Sequence, residues 1–171
     1  INLIVKAGTA NDPADQRGLA NIAAAMMEEG AGNRNALQFS DAVDFLGANI
    51  SVSAGMHTTT VSLFTPLSKL DSALALFGDV VLRPMFPAEE LERNRIERLT
   101  TLLQWHDEAR VISNNLFNTT LFGMAHPYGP PTVGNEATIR SFKVDDLKKF
   151  YSNNFKPNNA TLVIVGDVTP A

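Results

Sequence analysis

The chain has 171 residues, 44% of them apolar and 19% charged, which is enough for one domain with a real core and is not the composition of a disordered segment. Its net charge of −4 supplies no electrostatic reason to bind nucleic acid or an anionic membrane, and no apolar run reaches the about 20 residues that cross a bilayer. Without cysteine, disulfides and thiolate metal sites are excluded, while the redox compartment stays open.

The opening Ile1-Asn2-Leu3-Ile4-Val5 reads as a strand over residues 1 to 7, with neither an initiator methionine nor signal-peptide character. Residues 1–171 are therefore expected to form one domain of a longer multi-domain polypeptide. A turn-rich stretch from Gly8 to Gln16 leads into a helix whose apolar face is Leu19, Ile22, Ala23, Met26 and Met27, ended by Gly30 and Gly32. Phe39, Val43 and Leu46 mark a second helix closed by Gly47. The period then changes to two: Ile50, Val52, Ala54 and Met56 alternate with Ser51, Ser53 and Gly55. Thr58 to Thr65 continues as the partner strand.

Leu67, Leu70, Leu74, Phe77 and Val81 restore helical spacing as far as Pro84. A long charged helix after Pro87 carries Glu89 and Glu90 at its positive end, with Glu89 and Arg93 spaced as an i,i+4 pair. Its apolar side is read as Leu91, Ile96, Leu99 and Leu102 or Leu103. A helix from about Arg110 to Phe122, a Gly/Pro-punctuated loop from Gly123 to Asn135, and a last helix through Val144, Leu147 and Tyr151 follow. Thr161 to Val165, nearly all apolar, is expected to lie inside the sheet. Strands and helices in this order predict an α+β fold, helices packed on one face of a mainly antiparallel sheet.

Several short stretches recur in a telling order: Gly8-Thr9 and Asp12-Pro13 before Arg17-Gly18-Leu19-Ala20; Glu29-Gly30; Leu46-Gly47-Ala48; and Arg83-Pro84-Met85-Phe86-Pro87. Phe122-Gly123, His126-Pro127-Tyr128-Gly129, Pro157-Asn158-Asn159-Ala160 and Val165-Gly166-Asp167-Val168 complete the series. Over nearly its whole length the chain resembles the insulinase-like (pitrilysin-type, M16) metallopeptidase family. Active members carry H-x-x-E-H on the first helix, two imidazoles one turn apart with a glutamate general base between them. Here the five places read Asn21, Ile22, Ala23, Ala24 and Ala25.

The chemistry of those residues is decisive. A hydrolytic zinc needs three N, O or S donors and an open position for water. Ala25 has no lone pair in place of the second histidine, Ala24 cannot act as base, and the amide oxygen of Asn21 is a poor replacement for imidazole. The resemblance places a third ligand, a glutamate, around Thr100, Thr101 and Leu102, where no carboxylate stands; Glu97 lies one turn away. No catalytic, cofactor-binding or metal-ligating residue is therefore assigned, and Asn21, Ala24 and Ala25 are read as positions of a degenerate motif on a packing helix.

Nothing else in the sequence substitutes for that site. His57, His106 and His126 are unpaired at helical spacing; they are read as a solvated turn residue, a helix-end cap or surface partner, and a fold-supporting loop residue. The threonines at 58–60 suit a strand, and Gly30-Ala31-Gly32-Asn33 follows a helix, the wrong setting for a phosphate loop. The resemblance implies a non-catalytic domain that completes the peptide chamber of a homologous zinc-bearing M16 domain or subunit. In that assembly zinc and hydrolysis belong to the partner half, and this chain alone is expected to be inactive. The alternative is a structural or assembly protein that kept the fold without proteolysis. Cytoplasm and bacterial periplasm are both compatible with a soluble domain of this kind.

Overall fold

The structure, a computed structural model, describes residues 1–167; Val168, the last residue of the final motif above, lies outside them. In chain order the elements are β1 (Asn2–Val5), α1 (Leu19–Met26), β2 (Gly30–Ala31), β3 (Arg34–Asn35), α2 (Ala36–Phe45), β4 (Asn49–Ala54) and β5 (Thr59–Phe64). They continue with α3 (Leu70–Leu82), α4 (Ala88–Trp105), α5 (Ala109–Phe122), α6 (Glu136–Ser141), α7 (Val144–Asn154) and β6 (Ala160–Val163).

The period-two stretch forms the sheet. Ile50 and Val52 of β4 are buried while Asn49, Ser51 and Ser53 face outward. They pair across the antiparallel ladder with Leu63 and Val61 of β5, which are buried in turn. β1 continues that apolar face, Leu3 beside Val61 and Val5 beside Thr59, and the order is β4-β5-β1-β6, antiparallel throughout. The opposite face is polar, with the Ser62 hydroxyl donating to Asn2 Oδ1 at 2.7 Å. Helices cover the apolar face: α1 lies against β4 and α7, and α3 against β5. Ile22 and Met26 of α1, Val80 of α3 and Leu147 of α7 are fully enclosed there. The predicted α+β class, with helices on one face of an antiparallel sheet, is the observed one.

Four expectations need correction. β6 is an edge strand and not an interior one; its Leu162 is 53% exposed although it stands on the core-facing side beside Leu3. An all-apolar run cannot tell an edge from a centre when the neighbouring cover is absent. The buried stripe of α3 is Ala73, Leu76, Phe77 and Val80, rotated from the reading that used the exposed Leu67 and Leu74. Arg93 pairs with Glu90, Glu97 and the more distant Glu29, not with Glu89. On α4, Leu91 is buried, but Ile96 is 65% exposed and Leu103 also faces solvent.

Three short elements escaped the periodicity. β2 and β3 have two residues each, held by the buried Asp79 carboxylate, which accepts from Arg34 at 3.1 Å and pairs with Arg83. α6 is a six-residue helix begun by Asn135, whose Oδ1 accepts from the Thr138 N–H while Thr138 Oγ1 accepts from the Asn135 N–H, both at 3.0 Å. Asn-x-x-Thr is a local capping signal, not a periodic one.

Candidate functional site between α1 and α4

α1 is positioned at its N-terminus by a buried acid. Asp12 accepts from the backbone N–H groups of Gly18 and Ala20, each at 2.9 Å, which satisfies donors that the helix leaves without intrahelical partners. Burial pushes the Asp12 carboxyl up to about 6, against the pull of those two N–H groups and of Arg17. Gly18, with φ of 97°, is required here: a Cβ would meet the Val133 carbonyl oxygen at 2.4 Å.

From this start the 3.6-residue period turns Leu19, Ile22, Ala23 and Met26 inward, and Ala24 is buried as well. Asn21 and Ala25, one turn apart, are the half-buried positions. α4 crosses α1 there. Leu91, Asn94, Arg95, Arg98 and Leu102 follow i, i+3, i+4 spacing toward the body of the domain, and Arg98 reaches Asn21. The Arg98 Nη1 donates to Asn21 Oδ1, and Nη2 donates to the Asn21 carbonyl oxygen at 3.2 Å. The Arg98 Nε is buried with no acceptor, and burial holds the guanidinium below its ordinary pKa range, opposed by Glu97.

The positions expected to carry a third ligand behave differently. The Thr100 and Thr101 hydroxyls turn back to their own helix, donating to the carbonyls of Ile96 at 2.9 Å and Glu97 at 3.0 Å, and Leu102 packs on the core. The α4 side chain that meets Asn21 is thus Arg98, two to four residues earlier. A signal existed in the sequence: an arginine within an inward-facing stripe is a cation looking for a partner.

The residues between α1 and α4 do not fit a zinc ion. Asn21 Oδ1 is engaged by a cation, Ala24 and Ala25 offer no lone pair, and a guanidinium coordinates no metal. The neighbouring carboxylates are committed elsewhere. Glu28 accepts from the Val52 N–H of β4; Glu29 binds Arg93 at 2.6 Å and Asn94 at 3.0 Å; Glu97 binds Arg93 at 2.8 Å. Burial pushes the Glu28 carboxyl up, the Val52 N–H bond lowers it, and Glu29 adds to the rise. Among the described residues there is no group of three or more His, Cys, Asp or Glu placed to hold a metal.

The three histidines do not converge. His106 is the C-cap residue of α4. His57 is not merely solvated: its Nε2 lies 2.8 Å from the Tyr128 hydroxyl. His126 stacks on Phe122 with centroids 5.5 Å apart and accepts the Tyr128 N–H on Nδ1 at 3.2 Å. The His57–Tyr128 contact ties the β4–β5 turn to the loop after α5, and His126 packs against Phe122 and Tyr128 of that loop region. α5 has no buried residue among those described, and Ile112, Leu116, Phe117 and Leu121 are exposed along it. Between α4 and α5 lies an open cleft of about 610 Å³ whose walls include Leu99, Leu102, Leu103, Ile112 and Leu116.

Comparison with known proteins gives a consistent result. The family model described as "Insulinase (Peptidase family M16)" matches residues 1–126, and that described as "Peptidase M16 inactive domain" matches residues 141–171. An uncharacterized zinc protease of Rickettsia bellii is 28% identical over 98% of this chain and 40% of its own length. A Helicobacter pylori protein named "Non-peptidase homolog YmxG" is 23% identical over 98% of this chain and 39% of its own length. The crystal structure of a peptidase M16 inactive domain from Pseudomonas fluorescens superposes with a TM-score of 0.87 at 26% identity, covering 93% of this chain and 39% of that one. The periplasmic protease PqqL of Escherichia coli shares the fold, with a TM-score of 0.85 at 18% identity, over 98% of this chain and 19% of that one. The chain thus spans about 40% of the length of the curated relatives it matches. On the match across residues 1–126, this chain belongs to the insulinase family of peptidases, family M16.

Proposed function

We propose that this chain is a non-catalytic M16 domain that completes the peptide-binding chamber of a homologous, zinc-bearing half, which performs the hydrolysis. The observation that carries the reading is the Arg98–Asn21 contact: a guanidinium from α4 is bonded to the first of the three degenerate motif positions, Asn21, Ala24 and Ala25. A cation fixed there opposes binding of a second cation. The match to the M16 inactive-domain model and the Helicobacter pylori relative named a non-peptidase homolog agree with a domain of this kind. The exposed apolar residues of α5 and the cleft beside them are the sort of surface that a partner domain covers.

No helix among the described residues is long and apolar enough to cross a membrane, and both the cytoplasm and the bacterial periplasm suit the proposed assembly. The test is reconstitution. The polypeptide containing this chain is combined with the zinc-bearing M16 protein of the same organism, and cleavage of an internally quenched peptide is followed. Hydrolysis that requires both components supports the proposal. Full hydrolysis by the zinc-bearing component alone overturns it, and a stable complex without hydrolysis selects the structural or assembly role.

A further inference from the structure

β4 is a terminal strand of the sheet, and its hydrogen-bond phase can be read from both ends. The Gly55 N–H donates to the Thr58 carbonyl at 2.7 Å, so the residues at 55 and 58 form a bonded pair. Bonded and non-bonded pairs alternate along an antiparallel ladder. Ser53 and Ser51 therefore direct their backbone groups to β5, while Ala54, Val52 and Ile50 direct theirs away from the sheet. The other end agrees: the Leu63 N–H, opposite Ile50, donates to Ile1 on the β1 side at 2.8 Å.

An open edge of this kind presents unpaired N–H and C=O groups to any extended backbone. Here the central one is taken. Glu28, just beyond α1, places Oε1 2.5 Å from the Val52 nitrogen. The carboxylate stands where an added strand would run, about 4.8 Å from β4, and opposes incoming carbonyl oxygens with its own charge.

We infer that Glu28 closes the β4 edge, so that this domain does not accept an extended peptide as an added strand at β4. The occupant excluded is an extended polypeptide backbone, which binds sheet edges by main-chain hydrogen bonds. Closure by a charged side chain is among the devices by which sheet edges are kept from pairing, and it assigns to Glu28 a role separate from packing.

The test uses the 171-residue chain, amide exchange by NMR, and a synthetic peptide Thr-Thr-Val-Ser-Leu-Phe with a C-terminal Lys-Lys tail. This peptide has the sequence that already complements β4 on its other side. In the unmodified chain the Val52 N–H exchanges at least about tenfold more slowly than those of Ile50 and Ala54, the protection a single retained bond provides. In Glu28→Ala that protection is lost and the peptide binds about tenfold more tightly, with shifts along Ile50–Ala54. Glu28→Gln, which keeps an acceptor, retains the slow Val52 exchange. Equal exchange at Ile50, Val52 and Ala54 in the unmodified chain overturns the inference without recourse to any variant. So does peptide binding at β4 that is the same with Glu28 present or removed.

Discussion

The Arg98–Asn21 contact makes a quantitative prediction because its two partners are not energetically equivalent. Hydrogen bonds to a charged group contribute about 1.5–3 kcal/mol each, and Arg98 makes two to Asn21. Against that gain stand the desolvation of a largely buried guanidinium and an Nε–H with no acceptor, a group that costs about 1–3 kcal/mol when left unmet. Arg98→Met removes the bonds and the desolvation together while keeping an apolar stem, so the net loss is ~1 kcal/mol. Asn21→Ala removes the side-chain acceptor and leaves the cation in place, and the loss is ~2–3 kcal/mol. In the double variant the stranded cation is gone, so its stability falls close to that of Arg98→Met, with a coupling of ~2–3 kcal/mol between the two positions. Urea unfolding of the 171-residue chain, followed by circular dichroism with m-values compared, measures all four corners of the cycle. An Asn21→Ala loss no larger than that of Arg98→Met, or additivity within about 0.5 kcal/mol, would show that Asn21 does not hold a buried Arg98 cation.

Restoring the motif on α1 alone, with Asn21→His, Ala24→Glu and Ala25→His, leaves Arg98 in place and yields no tightly held metal. Adding Arg98→Glu supplies the missing donor and removes the cation, and Co²⁺ titration then shows tetrahedral d–d absorption that the triple variant lacks. For Asp12, the folded-state pKa of about 6 lies above the ordinary 3.8, so the native state holds the proton more tightly than the unfolded chain. Stability is therefore highest below pH 4 with respect to this group and falls as pH rises to 6. The change is up to ~3 kcal/mol at about 1.4 kcal/mol per pKa unit; Asp12→Asn flattens that part of a urea-midpoint profile. Gly18→Ala, forced to adopt φ of 97° against the Val133 carbonyl, loses at least about 2 kcal/mol and lowers the thermal midpoint accordingly.

The architecture was legible where one residue period governs a whole element. Ile50 and Val52 against Ser51 and Ser53 define a half-buried strand, and Leu19, Ile22, Ala23 and Met26 define a buried helix face, without reference to anything distant. Legibility ended where long-range contacts decide. Thr161 to Val165 reads as interior because it is apolar, yet β6 sits at an edge; strand order is a property of the ladder and not of the strand. The α3 stripe differs from the expected one in phase: Ala73, Leu76, Phe77 and Val80 have the same helical spacing as Leu67, Leu70, Leu74 and Val81, and small Ala73 is fully buried. At the candidate site, the empty motif at Asn21, Ala24 and Ala25 could be read from side-chain chemistry alone. Arg98 was marked only as a cation within an inward-facing stripe; its pairing with Asn21 was not legible, because 77 residues separate the two and the crossing of α4 over α1 sets which turn faces it. The same holds for the Glu28 bond to Val52, which joins a helix end to a strand edge.

Metal content reports directly on whether this chain holds zinc. The purified chain is equilibrated with excess zinc, desalted and submitted to elemental analysis. Zinc near zero per chain is the predicted result, because Asn21, Ala24, Ala25 and Arg98 offer no donor set for it. One zinc retained per chain would be the contrary result and would require His57, His106, His126 or nearby carboxylates to converge on a site of their own.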